Sequence, residues 1–171
     1  MHHIYHTYLQ MIEHTFEGKI QSQDEAALFD LARKHFTAPF LLPYLDSGAS
    51  FQDLKYQTKM MMFHYYQIEH FTNITVCLLE KQNIPYFLLK GISLAAYYPL
   101  PEHRKLGDLD LYIPDPDKVA EARKLLEING YILDPEVSDH HITYTYTFPK
   151  TGRTYILELH FRIVGKYQYD R

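Results

Sequence analysis

The strongest constraint on the fold lies near the end of the chain. Ile142-Thr143-Tyr144-Thr145-Tyr146-Thr147-Phe148 alternates apolar or aromatic with polar residues, Pro149-Lys150-Thr151-Gly152 reads as a turn, and residues 154–163 alternate again. Two alternating runs around a glycine-containing loop predict a β-hairpin. A loop of those four residues pairs Phe148 with Arg153, sets Thr143 opposite Glu158 and His141 opposite His160. A loop that also takes in Arg153 moves the register by one and brings Tyr144 to Glu158, flipping the strand. The first register is expected. It gathers Asp139, His141, Thr143 and Thr145 with Glu158, His160 and Arg162 on a polar face, and Tyr144, Tyr146 and Phe148 with Leu157 and Leu159 on a core face. If the strand runs back through His140 and His141, the two face opposite ways, so at most one joins the polar face. His141 is then expected as a hydrogen-bonded rim histidine rather than a ligand.

The first half of the chain reads as helix. Ile4, Tyr8, Met11 and Ile12 recur at near-helical spacing over residues 3–16, and Gly18 is expected to end that helix. Ser22 and Glu25 form the pattern of a capping box, with Ser22 as N-cap, for a helix burying Leu28, Leu31, Ala32 and His35 or Phe36. A short turn bracketed by Pro39 and Pro43 follows. Ser50 is expected to cap a long helix over residues 51–82, in which Met60-Met61-Met62-Phe63 is largely buried core filler. The pattern then changes at Asn83-Ile84-Pro85. Tyr86-Phe87-Leu88-Leu89 reads as a strand buried on both faces, Gly91 breaks it, and residues 92–98 suit a helix. Residues 106–113 alternate as a strand. Asp115 as N-cap and Pro116 at the first helical position open a helix that Gly130 closes, with Val119, Ala122, Leu126 and Leu125 or Ile128 inward. The expected fold is therefore α+β: a mixed sheet with flanking helices over residues 83–171, preceded by a helical region over residues 1–82.

Composition narrows the function classes. Hydrophobic residues are 46% of the 171, enough for a sizeable core, and the formal charge is −4. A mildly acidic chain lacks the basic footprint of a general nucleic-acid binder. The single cysteine, Cys77, excludes an internal disulfide and is expected as a packed, inert thiol. No stretch is long and apolar enough for a membrane span, and the start shows no basic segment leading into an apolar run. A cytoplasmic location is expected.

Gly107-Asp108-Leu109-Asp110-Leu111-Tyr112-Ile113 carries the chemistry. On a strand, Asp108 and Asp110 share a face with Cα atoms roughly 6.5–7 Å apart, while Leu109 and Leu111 point the other way. Two carboxylates so placed repel unless a cation lies between them, and hard divalent ions such as Mg²⁺ take such oxygens. The plain alternative is the solvated face of an edge strand. Glu158 is a third acid in an otherwise apolar-alternating strand, and three carboxylates on two strands of one sheet suit a two-cation phosphoryl-transfer site. Upstream, Lys90-Gly91-Ile92-Ser93 joins strand to helix. Gly91 permits close approach of a phosphate, Ser93 offers a hydroxyl and Lys90 a charge.

Leu88-Leu89-Lys90-Gly91-Ile92-Ser93-Leu94-Ala95, Tyr98-Pro99, Arg104, Gly107-Asp108-Leu109-Asp110-Leu111 and Glu158-Leu159-His160 together resemble the uncharacterised nucleotidyltransferase family of the DNA polymerase beta-like superfamily. Leu31-Ala32-Arg33-Lys34-His35 with Ala38-Pro39 and Leu41-Leu42 is similar to that family's helical N-terminal portion. The resemblance implies transfer of a nucleoside monophosphate from an NTP, ATP first, to a small-molecule or protein acceptor, with a nucleic-acid acceptor disfavoured by the charge. It implies Mg²⁺, two ions or Mn²⁺ in their place, held by Asp108, Asp110 and Glu158, with Lys90, Gly91, Ser93 and Arg104 on the nucleotide. Ile92 stands between Gly91 and Ser93, where the superfamily usually has Gly followed directly by Gly or Ser. Superfamily enzymes usually continue into a further helical region, so the sequence is expected to be the N-terminal part of a longer protein. The alternative function is a non-catalytic nucleotide-binding or partner-binding module. A glycosyltransferase metal motif and an aspartyl phosphohydrolase fit the upstream helices and Arg104-Lys105-Leu106-Gly107 poorly.

Overall fold

A computed structural model describes residues 2–45, 48–136 and 138–163. The chain divides into two compact units, Met1–His64 with Glu102–Lys105, and Tyr65–Pro101 with Leu106–Arg171. Among the described residues there are six α-helices and a mixed five-stranded sheet, an α+β fold. No described helix is long and apolar enough to cross a membrane.

The first unit is helical: α1 (His2–Ile12), α2 (Ser22–His35), α3 (Ala38–Leu41) and the start of α4 (Ala49–Lys81). Its core is Tyr8, Met11, Leu28, Ala32, Ala38, Leu41 and Leu54. Helix α1 stops at Ile12, well before Gly18, as His14 turns to φ 56°. Helix α2 begins one residue earlier than the capping pattern predicts. Gln21 is its N-cap, without a side-chain bond, so Ser22 and Glu25 do not form the box. Phe36 ends α2 in the left-handed conformation, which turns its ring outward and leaves His35 exposed too. Ser50 lies inside α4, and only Met61 of the Met60–Phe63 patch is buried.

In the second unit, α4 from Tyr65 onward places Tyr65, Ile68, Phe71 and Leu79 in the core at helical spacing. Cys77 is on the opposite, exposed side, so the thiol is not packed. The strands are β1 (Phe87–Leu88), β2 (Leu109–Tyr112), β3 (Ile132–Leu133), β4 (His141–Thr147) and β5 (Thr154–His160), in the order β1-β2-β5-β4-β3. Only β2 and β5 are parallel; the other neighbours are antiparallel. The hairpin has the expected register, with Thr143 opposite Glu158, His141 opposite His160, and the Phe148 amide donating to the Arg153 carbonyl. The run at 86–89 is a two-residue edge strand with Phe87 59% exposed, because β1 has a neighbour on one side only. Helix α5 covers Lys90–Ala95, and α6 covers Pro116–Ile128 with the Asp115 carboxylate accepting from the Asp117 amide. Ile128 is exposed. Gly130 closes α6 at φ +88°, a conformation glycine adopts without strain.

An aromatic cluster packs on one sheet face. Phe71 lies 5.5–6.3 Å, ring centre to ring centre, from Tyr131, Tyr146, Phe148 and Tyr155.

Candidate active site

The functional face is the opposite side of the same sheet. Strand β2 lies between β1 and β5, so Asp110 is not on an edge strand. Leu109 and Leu111 are fully buried against the core, and alternation turns Asp110 to the other face, where it is 2% exposed. Parallel pairing puts Asp110 directly beside Glu158. His160, two residues along β5 on the same face, is also 2% exposed, and its Nε2 lies 3.1 Å from Asp110 Oδ1 and 3.2 Å from Glu158 Oε2. The ligand atoms of Asp110, Glu158 and His160 all lie within 4.8 Å of one another.

Lys90 closes the cluster. The Leu89 amide donates to the Asp110 carbonyl, which aligns the following residue with β2. Lys90 Nζ donates to Asp110 Oδ1 at 2.8 Å and stands 3.8 Å from Glu158 Oε2. Its backbone has φ 36°, an unusual conformation for a residue with a side chain, and outliers of this kind collect at functional sites. Gly91 follows because the chain passes close to β2: a Cβ there would sit 3.4 Å from the Asp108 carbonyl oxygen. Burial pushes the Asp110 carboxyl toward higher pKa, but hydrogen bonds from His160 and Lys90 outweigh it and hold the group below its ordinary value. The hydrogen bond to Asp110 raises the pKa of Lys90. The site is thus ionised on both sides.

Asp108 stands just before β2, outside the 4.8 Å cluster, and lines a polar cavity of about 710 Å³ with Glu158, His141, Thr143 and Asp139. Sites for small ligands fall in this size range. A cavity of about 500 Å³ under the aromatic face is lined by His70, Tyr146, Phe148 and Tyr155 and holds no carboxylate. Ser93 donates its hydroxyl to the Lys90 carbonyl at 2.7 Å, and the helix it belongs to has six residues. Arg104 belongs to the first unit.

The match to the family described as uncharacterised nucleotidyltransferase spans residues 21–171. The chain belongs to that family. No curated protein matches it. Of the three acids expected as metal ligands, Asp108, Asp110 and Glu158, the structure draws the last two together.

Sequence reasoning placed His160 on the polar face but did not assign it a site role; its i, i+2 spacing from Glu158 was the available signal. The restriction to one of His140 and His141 held only for a strand running through both, and that condition is not met. Strand β4 starts at His141, so His140 is outside the alternation, and the rings of His140, His141 and His160 come together with one nitrogen each within 4.8 Å.

Proposed function

We propose that the chain transfers a nucleoside monophosphate from an NTP, ATP first, to an acceptor hydroxyl, with Mg²⁺ as cofactor. One observation supports this above all: a buried and a partly exposed carboxylate are register partners on parallel strands and require positive charge between them. The donor set fits a hard divalent ion, since carboxylate oxygens dominate it. Asp108, Asp110 and Glu158 would hold the metal, two ions or Mn²⁺ in their place, and bound metal supplies charge that grips the triphosphate and the leaving pyrophosphate.

The chain's own groups do the rest. Lys90, 60% exposed along its side chain, swings from Asp110 to a phosphate oxygen. Gly91 keeps that loop close to β2, and Ser93 fixes the Lys90 carbonyl. Glu158, less buried than Asp110, takes the proton of the acceptor hydroxyl. The acceptor oxygen bonds to the α-phosphorus, the bond from that phosphorus to the bridging oxygen breaks, and pyrophosphate leaves.

A second reading, a non-catalytic nucleotide-binding module, draws on the same lysine. An ammonium contacting both carboxylates is an internal substitute for a cation. Pyrophosphate release from each NTP, with Mg²⁺ and fractionated small molecules as acceptors, separates the two. Transfer predicts release that falls at least about 100-fold in Asp110→Asn. Nucleotide binding without release from any NTP establishes the second reading.

A further inference from the structure

We propose that His140, His141 and His160 form a binding site for a divalent transition-metal ion, Zn²⁺ foremost, adjoining the acidic pair. The three rings lie 4.4, 5.2 and 5.7 Å apart, centre to centre. Each has a nitrogen hydrogen-bonded to an oxygen partner. His140 Nδ1 is 2.7 Å from Asp139 Oδ1 and 3.1 Å from Ser138 Oγ. His141 Nδ1 is 3.2 Å from Ser138 Oγ, and its Nε2 faces the acidic pair, 3.9 Å from Glu158 Oε1. His160 Nε2 is bonded to Asp110 and Glu158.

An ionised carboxylate only accepts hydrogen bonds, so in a neutral imidazole the nitrogen facing it carries the proton and the other nitrogen the lone pair. For His160 that other nitrogen is Nδ1. The side chain is 2% exposed, and Nδ1 has no hydrogen-bond partner. A buried lone pair is satisfied by a donor or by a Lewis acid. Histidines that ligate metals are oriented in this way, through a carboxylate or hydroxyl on the second nitrogen.

Ligand type selects the ion. Three imidazoles suit Zn²⁺ and related borderline ions, whereas Mg²⁺ prefers oxygen. Three histidines around Zn²⁺ leave a fourth position open, and His141 places that position on the polar cavity. Tetrahedral bonds of about 2.0–2.1 Å set ligand nitrogens roughly 3.4 Å apart, so the rings close from their present 4.8 Å limit by side-chain rotation. This inference does not rest on the transferase reading.

The test titrates Zn²⁺, and Co²⁺ as a visible probe, into the chelator-stripped full chain. His2, His3 and His6 are replaced by Ala throughout, because those exposed side chains on α1 offer competing imidazoles. The proposal predicts one ion per chain, a tetrahedral Co²⁺ spectrum and no displacement by a large excess of Mg²⁺. His140→Ala and His141→Ala each weaken binding by about 100-fold or more, and Asp139→Asn by about 10-fold or more. His160→Ala is not used, since that ring is buried. Circular dichroism verifies that each variant is folded. Absence of saturable binding, displacement by Mg²⁺, or unchanged affinity in folded His140→Ala and His141→Ala overturns the proposal.

Discussion

Asp110 is the residue on which the site depends, and its charge is stabilised by neighbours from two other segments of the chain. Burial alone would raise its pKa; hydrogen bonds from His160 on β5 and Lys90 at the start of α5 outweigh that and hold it below the ordinary value. If Lys90 stands in for a cation, Lys90→Met lowers the stability of the metal-free protein. The loss is roughly 1 kcal/mol, kept small because the ammonium is largely exposed and screened. Urea unfolding should show Mg²⁺ restoring that loss in the variant while changing the parent less. Equal stability of the two proteins, with or without Mg²⁺, contradicts the assignment.

Tyr131 gives a separate pH prediction. Burial raises its phenol from 10.0 to about 12, opposed in part by the hydrogen bond with Thr75. A group with a raised folded pKa stabilises the fold fully below its unfolded value and loses that contribution as pH rises through the folded one. The stabilisation is therefore present below pH 10 and lost between pH 10 and about 12. Across that window Tyr131→Phe should lose about 2–3 kcal/mol less than the parent in alkaline unfolding. Parallel pH profiles would contradict this.

Among the elements, the hairpin was the most legible in the sequence. Alternation over two strands and a short loop leave few registers, and burying Tyr144, Leu157 and Leu159 together selects one of them. Helix α6 was equally legible, with Asp115 and Gly130 marking its ends. Gly130→Ala should cost about 1 kcal/mol in urea unfolding. The added methyl would meet only Tyr146 at 3.9 Å, so the cost comes from the positive φ. No measurable loss would show that α6 ends differently. The short elements were legible in part: β1 lies within the expected strand at 86–89 but at an edge of the sheet, and two-residue β3 is too brief to show a period and is defined by its pairing with β4. The start of α2 slipped by a residue because a favourable capping pattern does not compel its hydrogen bonds. Helix α4 misled differently: a run of methionines looks buried all round, yet Met60 and Phe63 are exposed.

At the scale of the molecule, the change of periodicity near residue 83 marks where helix gives way to alternating strands, whereas the compact units are 1–64 with 102–105 and 65–101 with 106–171. Sheet order could not be read from the sequence, because the parallel pairing of β2 with β5 joins residues about fifty positions apart. That pairing brings Asp110 to Glu158, the meeting expected of acids on two strands of one sheet, while Asp108 stays outside the cluster. Lys90 was read as a phosphate ligand, and its contact with Asp110 depends on a backbone turn at φ 36° that no pattern announces. Family membership and the geometry support the same central claim, a carboxylate site that binds an NTP through a divalent ion. Thermal unfolding with each NTP, with and without Mg²⁺, tests it most directly, because a ligand of the native state raises the transition temperature. The account predicts a Mg²⁺-dependent rise with at least one NTP in the parent, and none in a folded Asp110→Asn variant. A rise of equal size in Asp110→Asn, or one independent of Mg²⁺, would contradict it.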